Sequence, residues 1–240
     1  MSSALPQPHV LVFGASGVIG GSIVDWFAAQ AWSVTACSRR PAAKADRKPG
    51  VNWVATGTPS AAPDPLAGLA PVDAVVWAQG QNFNDSVHAF DAEAHLDMYR
   101  ANVLHVLDTA ARLVAADRLR PPARLCVISS IWQELARPDK LSYCVTKAAL
   151  RGLVLSLSTD LARHGHLVNA VLPGALDTPM TRQNLSPGQI GAIEAGTLFG
   201  RLPAVRDVCE LVGWLCSDRN SGVTGQFIGA DLGFSRARIF

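Results

Sequence analysis

Charged residues are scarce in this chain of 240 residues: they make up 17% of it, and the formal net charge is only +2. The most basic stretch is RRPAAKADRK at 39–48, and its simplest interpretation is a solvated loop. A protein that binds nucleic acid normally presents a dense cluster of Lys and Arg. The low charge therefore excludes nucleic acid as an expected partner.

Paired cysteines and long apolar runs are also absent. The apolar run VLVFGASGVIGG at 10–21 is too short to span a bilayer and is broken by glycines. The N-terminal MSSALPQPH has no basic segment followed by an apolar one, so we expect no secretion signal. An odd number of cysteines without CxxC spacing favours buried free thiols in a reducing compartment. We therefore expect a cytoplasmic protein that is not bound to a membrane. The cysteines are Cys37, Cys126, Cys144, Cys209 and Cys216.

The histidines do not form a metal-ligand pattern. In isolation, the HGH tripeptide around Gly165 resembles a metal site, but histidines at a helix end more often interact with the helix dipole. The sequence therefore predicts no metal site. The six histidines are His9, His88, His95, His105, His164 and His166.

Hydrophobic residues, by contrast, make up 49% of the chain, and they fall into alternating strand and helix patterns. Short apolar runs bounded by turn residues predict strands at 9–14, 32–38, 51–55, 72–80, 124–130, 166–174 and 224–231. Helical spacing follows at 19–27, 90–116, 142–164 and 205–218. The stretches 39–50 and 56–71 are predicted to be connections, and 175–203 a loop with one short helix.

Alternation of this kind predicts one α/β domain over 1–240, with a doubly wound parallel sheet of about seven strands and helices on both faces. The region at about 180–202 is the predicted substrate loop. In the helix at 90–116, the side chains expected to face inward are those of Leu96, Val103, Leu107, Ala110 and Val114.

A glycine-rich turn joins the first strand to the first helix. In GASGVIG, three glycines recur at every third position, which lets the backbone turn tightly and approach a pyrophosphate. The helix that follows offers unpaired N–H groups to phosphate oxygens. The turn therefore predicts a dinucleotide site. Its expected contact residues are Gly14, Ser16, Gly17, Val18, Ile19 and Gly20.

An acidic residue is missing where the second strand ends. An NAD-binding protein usually places Asp or Glu there, to bind the ribose 2′-hydroxyl, but this chain has Ser38 and Arg39. A guanidinium and a hydroxyl suit the 2′-phosphate of NADP. The sequence therefore favours NADP, with NAD as the alternative; the other interpretation of Arg39 and Arg40 is a solvated pair.

Tyr143 and Lys147 lie four residues apart in LSYCVTKAALRGL, a stretch with helical character. This spacing places both side chains on one face of a helix. Ser130 ends the apolar run RLCVISS thirteen residues upstream. Together with the glycine turn, a hydroxyl, a phenol and an ammonium indicate reduction or oxidation of a carbonyl by a nicotinamide cofactor.

These motifs, in this order and over nearly the whole chain, resemble the short-chain dehydrogenase/reductase family in its compact single-domain form, which has a Rossmann fold. The resemblance rests on GASGVIG, WAQG at 77–80, Asn102 in YRANVLHV, VISS ending at Ser130, the Tyr143–Lys147 pair, LPGALDT at 172–178 and TGQFIGADLG at 224–233. The nearest named type is the 3-oxoacyl-[acyl-carrier-protein] reductases.

The resemblance implies catalytic roles for four residues. Tyr143 would be the general acid in reduction and the general base in oxidation, and Lys147 would lower its pKa and bind the nicotinamide ribose. Ser130 would bind the substrate oxygen. Asn102 would locally disturb its helix and hold a water linked to Lys147. Further cofactor contacts are implied for Ala78, Gln79, Gly80, Tyr143, Lys147, Pro173, Gly174, Leu176 and Thr178, with the backbone near Val171.

Three positions depart from the usual pattern of the family. Phe13 stands where Thr is usual before the first glycine, and Trp77 begins WAQG where NNAG is usual. Ala55-Thr56-Gly57 replaces the segment that usually ends in an Asp that contacts adenine. These departures concern cofactor contacts and leave the catalytic set unchanged.

The sequence leaves the substrate open. The leading hypothesis is an NADP-dependent ketone reductase of the 3-oxoacyl thioester type; a dehydrogenase of a sugar or other secondary alcohol and a non-catalytic NADP-sensing regulator are the alternatives. The loops that would choose the substrate are 81–88, 131–142 and 180–202. We expect a small carbonyl or alcohol substrate, free or carrier-bound, and a homodimer or homotetramer. Residues expected either to meet an acidic carrier protein or to form an exposed turn are Arg118, Arg120 and Arg124.

Overall fold

The structure is a computed structural model that describes residues 7–39, 48–56 and 65–237. Most of the predicted loop at 39–50 and the middle of the predicted connection at 56–71 lie outside these residues. The described strands form one sheet of seven parallel strands, which confirms the predicted doubly wound α/β fold. Their order across the sheet is β3-β2-β1-β4-β5-β6-β7.

The strands lie close to their predicted positions, except that the fifth begins five residues earlier than predicted. They are β1 (His9–Phe13), β2 (Ser33–Ser38), β3 (Val51–Ala55), β4 (Val72–Trp77), β5 (Leu119–Ile128), β6 (Leu167–Pro173) and β7 (Phe227–Ala230). The α-helices are α1 (Val18–Ala29), α2 (Ala92–Tyr99), α3 (His105–Ala115), α4 (Leu141–Leu161), α5 (Pro179–Asn184), α6 (Pro187–Gly196) and α7 (Val205–Cys216). The stretch 175–203 thus holds two short helices, where one was predicted.

Both faces of the sheet are covered, because strand side chains alternate between two apolar clusters. Leu11 and Phe13 of β1 pack on the side of α3 and α4, whereas Val10 and Val12 pack on the side of α1 and α7. Every residue of β1 is buried. Burial on both faces explains why the central strands appear in the sequence as continuous apolar runs.

The predicted helix at 90–116 consists of α2 and α3 joined by one π-helical segment, Arg100–Leu104. Two of its predicted inward residues, Val103 and Ala110, are buried. The prediction is wrong for the other three, because Leu96, Leu107 and Val114 are 41–46% exposed. The helix has apolar residues on two faces, and periodicity alone does not tell which face meets the sheet.

The helix that carries Tyr143 ends as predicted. After α4, a short 3-10 turn at Ala162–His164 leads into Gly165, which has a φ of 76°. Glycine adopts this left-handed conformation without steric cost, as is common after a helix. His166 then accepts a hydrogen bond on Nδ1 from the Ala123 backbone (3.0 Å). Among the described residues, no cluster of three or more His, Cys, Asp or Glu could hold a metal ion.

The interpretation of three arginines as a contact for a carrier protein stays a prediction. Arg118 donates to the Leu69 carbonyl (2.9 Å), Arg120 to the Asp73 carboxylate (2.8 Å) and Arg124 to the Asn220 carbonyl (2.9 Å). These side chains therefore tie the amino-terminal end of β5 to its surroundings.

The five cysteines are free thiols, and four of them are buried. Burial raises the pKa of Cys37 to about 12 and that of Cys209 to about 11. Such thiols are almost fully protonated near neutral pH and are poor nucleophiles. Within the part of the chain that the structure describes, no helix is long and apolar enough to cross a bilayer.

Candidate active site

The predicted site residues meet at the carboxyl edge of the sheet. Because all seven strands are parallel, the segments that follow β1, β4, β5 and β6 leave the sheet at the same edge. These segments begin at Gly14, Ala78, Ser129 and Gly174, and the first turns of α4 lie beside them. The topology therefore brings the glycine turn and the polar residues together.

The glycine turn is built by close backbone contacts. Gly14 has a φ of 74°, and a Cβ atom there would lie only 2.4 Å from the Gln79 nitrogen. A Cβ at Gly20 would lie 2.2 Å from the Gly14 carbonyl oxygen. The N-cap of α1 is Gly17, which provides no side-chain cap. The first amides of α1 thus remain available to a phosphate, so the turn fits a dinucleotide.

Two departures from the usual family pattern pack against each other beneath this turn. The Phe13 and Trp77 rings are stacked, with 5.9 Å between centroids and 7° between planes. His105 meets Phe13 edge-on at 5.5 Å, and Trp77 Nε1 donates to Thr109 Oγ1 at 2.8 Å. An aromatic cluster therefore supports the turn where the family usually has Thr and Asn.

At the end of β2, Ser38 is buried and Arg39 is exposed. The strand end lies next to the glycine turn, since the Ala15 amide donates to the Cys37 carbonyl (3.1 Å). Burial lowers the pKa of His105, and the charge of Arg39 contributes to this shift. Arg39 is therefore an exposed cation at the edge where an adenosine ribose is expected.

Ser130, Tyr143 and Lys147 come together as predicted. Tyr143 forms a side-chain hydrogen bond with Ser130, and Lys147 Nζ lies 5.6 Å from the centroid of the Tyr143 ring. The Lys147 ammonium donates to the Ile128 carbonyl at 3.1 Å. Ser130 is 7% exposed and Lys147 only 4%, so both polar groups are held out of bulk water.

The pKa values in this arrangement differ from the expected ones. Burial raises the pKa of Tyr143 to about 12, although the Ser130 hydrogen bond opposes this rise. Burial lowers the pKa of Lys147 to about 8. The expected lowering of the phenol pKa by Lys147 is therefore absent, because desolvation of the phenol dominates and the ammonium is directed to the Ile128 carbonyl.

Asn102 lies in the π-helical segment, so the predicted local disturbance of its helix is present. Its side chain is buried and forms two hydrogen bonds with the backbone of Gln81. Oδ1 accepts from the Gln81 amide (2.7 Å), and Nδ2 donates to the Gln81 carbonyl (3.1 Å). Nδ2 also donates to Thr146 Oγ1 (3.0 Å). Asn102 thus fixes the segment after β4 against α4; its predicted water contact stays a prediction.

The segment after β6 closes the site. The Gly174 amide donates to the Ala230 carbonyl (3.1 Å), and a Cβ at Gly174 would lie 3.0 Å from the Cβ of Asp231. Leu176 is buried, and the Thr178 hydroxyl caps α5 by accepting from the Thr181 amide (3.1 Å). Pro173 ends β6. The predicted contacts of these residues with a nicotinamide remain expectations.

Two buried amide groups beside the site have an unpaired atom among the described residues. These atoms are Gln79 Oε1, beside the glycine turn, and Gln133 Nε2. The Gln133 Oε1 atom accepts from the Ser129 hydroxyl at 2.9 Å. Buried polar atoms are normally satisfied, so an acceptor left over at Gln79 fits an edge that a polar cofactor covers.

Sequence reasoning missed a polar network at the start of α4. The Asp85 carboxylate accepts from the amide of Ser142 (3.0 Å) and from its hydroxyl, and His95 Nδ1 lies 2.7 Å from the same hydroxyl oxygen. Lys140 Nζ donates to Asn82 Oδ1 (2.7 Å). These groups are far apart in sequence and follow no periodic pattern, so no local signal identifies them.

Comparison with known proteins bears on the whole chain. A family model described as "Enoyl-(Acyl carrier protein) reductase" matches residues 67–235. An L-xylulose reductase of Bos taurus is 30% identical over 98% of this chain and 99% of its own. The 3-oxoacyl-[acyl-carrier-protein] reductase of Escherichia coli is 28% identical over 93% of this chain and 95% of its own.

Solved structures share the fold. A short chain dehydrogenase family protein from Francisella tularensis superposes with a TM-score of 0.85 at 20% identity, covering 96% of this chain and 100% of its own. A gluconate 5-dehydrogenase from Burkholderia cenocepacia, solved in complex with NADP and tartrate, gives 0.84 at 21% identity, covering 98% and 97%.

Proposed function

Since the chain belongs to the short-chain dehydrogenase/reductase family, whose members act on CH–OH and C=O groups, we propose that it is an NADPH-dependent ketone reductase. The observation that carries this proposal is the set formed by the buried Ser130 and Lys147 with the half-buried Tyr143, beside a glycine turn at one edge of the sheet. A chain that only sensed the cofactor would have no need of this set.

Tyr143 and Ser130 have different roles in carbonyl reduction. A bound nicotinamide supplies the hydride. Tyr143 gives the phenolic proton to the carbonyl oxygen, so that hydride and proton together convert the ketone to a secondary alcohol. The Ser130 hydroxyl donates a hydrogen bond to the same oxygen and stabilises the negative charge that develops there.

The pKa of Tyr143 keeps the phenol in the protonated state that reduction uses. With a pKa of about 12, Tyr143 is protonated at neutral pH and is ready to act as an acid. Lys147, with a pKa of about 8, is a buried neighbour that exchanges protons close to neutrality. The pair therefore holds a donor and a nearby proton source in the state that reduction requires. Oxidation requires the phenolate, which a positive nicotinamide ring nearby favours.

The choice of NADP over NAD rests on the end of β2. Arg39 is exposed at the cofactor edge, Ser38 lies beside it, and neither position offers a carboxylate. A guanidinium stabilises a ribose 2′-phosphate, whereas an NAD site usually has an acid there. NAD remains the alternative cofactor.

For the substrate, the proposal is a ketone of the 3-oxoacyl thioester type. The similarity to the Escherichia coli reductase supports it. A dehydrogenase of a sugar or another secondary alcohol is the second candidate, because an L-xylulose reductase is related over the whole chain. We also propose a cytoplasmic location and a homo-oligomer, on the evidence of the free thiols and of the apolar residues exposed on α2 and α3.

The test is the Tyr143→Phe variant. NADPH oxidation is followed with a panel of ketones, and we expect turnover to fall by about 10²–10⁴-fold while NADPH binding, measured by fluorescence, persists. The matched control is Tyr99→Phe, which changes the only other tyrosine and is expected to retain turnover. Unaltered turnover by Tyr143→Phe would exclude the proposed acid. Tight NADPH binding by the wild type, with no turnover of any carbonyl, would favour the cofactor-sensing alternative.

A further inference from the structure

A second ammonium group lies beside Tyr143. Lys140 Nζ is 5.9 Å from the centroid of the Tyr143 ring, a distance similar to that of Lys147. It donates to Asn82 Oδ1 (2.7 Å) and to the Phe83 carbonyl (3.3 Å), both in the loop after β4. An ammonium has three N–H donors, so one donor of Lys140 remains beside the phenol.

Arg137 adds a second positive charge near Lys140. Its guanidinium carbon lies 5.9 Å from the centroid of the Trp132 ring. Burial lowers the pKa of Lys140, and the charge of Arg137 lowers it further, so the two cations lie near each other. An anion that binds between two like charges relieves their repulsion.

Among the described residues, neither Lys140 nor Arg137 forms an ion pair with a carboxylate. Asp85 and Asp139 attract the charge of Lys140, but Asp85 is held by Ser142, and the side chain of Asp139 is exposed. The cations are therefore available to a ligand.

We propose that Lys140 and Arg137 bind an anionic group of the substrate, so that the ketone carries a carboxylate or a phosphate close to its carbonyl. This inference rests on the proposed reductase function, and it assigns a substrate other than the 3-oxoacyl thioester, which carries no anion beside its ketone. Lys140 is the N-cap of α4, three residues before Tyr143, so the anion and the reacting carbonyl lie against the same turn. Short keto acids and keto phosphates fit this description, whereas purely apolar ketones offer no anion to this donor.

The experiment compares matched ketones. The acids are 4-oxopentanoate and dihydroxyacetone phosphate, and their neutral partners are methyl 4-oxopentanoate and dihydroxyacetone. For the wild type, we expect kcat/KM for the better anion to exceed that for its neutral partner by at least about tenfold. Charge-assisted hydrogen bonds are stronger than hydrogen bonds between neutral groups. The two anions show whether a carboxylate or a phosphate is preferred.

The decisive variant is Lys140→Gln, which keeps a hydrogen-bond donor for the loop but removes the charge. We expect the anion-to-neutral ratio of kcat/KM to fall by about tenfold, mainly through KM, and Lys140→Arg to restore it. The matched control is Arg163→Gln, which removes an exposed charge beyond the far end of α4 and should leave the ratio unchanged. An unchanged ratio in Lys140→Gln, or a wild type without preference for anions, overturns the inference and leaves the reductase intact.

A binding measurement separates this inference from the proposed reaction. Calorimetry on Tyr143→Phe with NADPH gives the dissociation constants of 4-oxopentanoate and of its methyl ester without turnover. We expect the acid to bind at least about tenfold more tightly, and Lys140→Gln, added to this variant, to remove the difference. If the wild type reduces no carbonyl, but the acid binds more tightly than the ester and Lys140→Gln removes the difference, only the reductase proposal fails. Equal binding of acid and ester overturns the anion site.

Discussion

The Asp85 carboxylate accepts hydrogen bonds from the amide and from the hydroxyl of Ser142, the residue immediately before Tyr143. Asp85 thereby serves as the cap of α4, because the N-cap residue itself, Lys140, provides none. His95 of α2 contacts the same Ser142 hydroxyl at 2.7 Å. Two segments from elsewhere in the chain therefore hold the turn that presents the phenol.

Replacing Asp85 with Asn should loosen this turn. Asp85 is 8% exposed, and charge-assisted bonds to a helix end are worth more than neutral ones. We expect Asp85→Asn to lower the free energy of unfolding by about 2 kcal/mol in urea titrations and to lower kcat. The control is Asp91→Asn, at the exposed cap of α2, where Asn and Asp serve equally well. Equal effects of the two substitutions would show that Asp85 does not position Tyr143.

A methyl group at Gly14 should abolish cofactor binding. Its Cβ would lie 2.4 Å from the Gln79 nitrogen, and the positive φ adds about 1–2 kcal/mol of strain for any other residue. We expect Gly14→Ala to lose NADPH binding in fluorescence titrations and to melt at a lower temperature. Gly152→Ala is the control, since nothing lies within 4 Å of its added Cβ and Ala suits a helix. Retained NADPH affinity in Gly14→Ala would contradict the proposed role of the turn.

Reversing the charge at Arg39 should reverse the cofactor preference. An Asp at this position repels the 2′-phosphate of NADPH and offers acceptors to the 2′-hydroxyl of NADH. We expect kcat/KM for NADPH to fall by about 10–100-fold in Arg39→Asp, while that for NADH is kept or rises. Arg163→Asp makes the same charge change at a remote exposed site. If both substitutions reduce NADPH use alike, Arg39 makes no specific contact.

The burial of Lys147 should appear in the pH dependence of stability. Its pKa in the folded protein, about 8, is below the ordinary value of 10.5, so the unfolded chain binds more protons between these pH values. The free energy of unfolding therefore rises with pH through this window, by up to about 3 kcal/mol, and the cost of burying the charge is fully present below pH 8.

Urea titrations from pH 7 to 10.5 on the wild type and on Lys147→Met measure this contribution. We expect the wild type to gain stability relative to the variant as the pH rises, because Met has no proton to release. Parallel curves for the two proteins would mean that Lys147 keeps an ordinary pKa in the folded protein.

The exposed apolar residues of α2 and α3 predict an interface between copies of this chain. Leu96, Leu107 and Val114 are separated by about three and two helical turns, and all are more than 40% exposed. We expect Leu107→Glu to lower the mass observed by light scattering, since a charge cannot be buried there without a partner. Val87→Glu changes an apolar residue that is 75% exposed outside this stripe and should leave the mass unchanged. A monomeric wild type would contradict the prediction.

The fold and most of the site could be predicted because their signals are local. Strands such as β3 appear in the sequence at the residues that form them, and the Tyr143–Lys147 spacing specifies one helical face. The inward residues of α2 and α3 could not all be predicted, because Leu107 is apolar on a face that the sheet does not cover. The Asp85–Ser142 contact joins residues 57 positions apart, so no periodic pattern in the sequence indicates it.

By itself, the sequence determined the alternation of strands and helices, the glycine turn and the identity of the groups that meet at the carboxyl edge. These features depend on backbone sterics and on the spacing of apolar residues, which act over a few neighbouring positions. Only the tertiary structure decided the protonation of these groups and the residues that hold them. A pKa depends on how deeply the fold buries a phenol or an ammonium, and burial is a property of the packed chain.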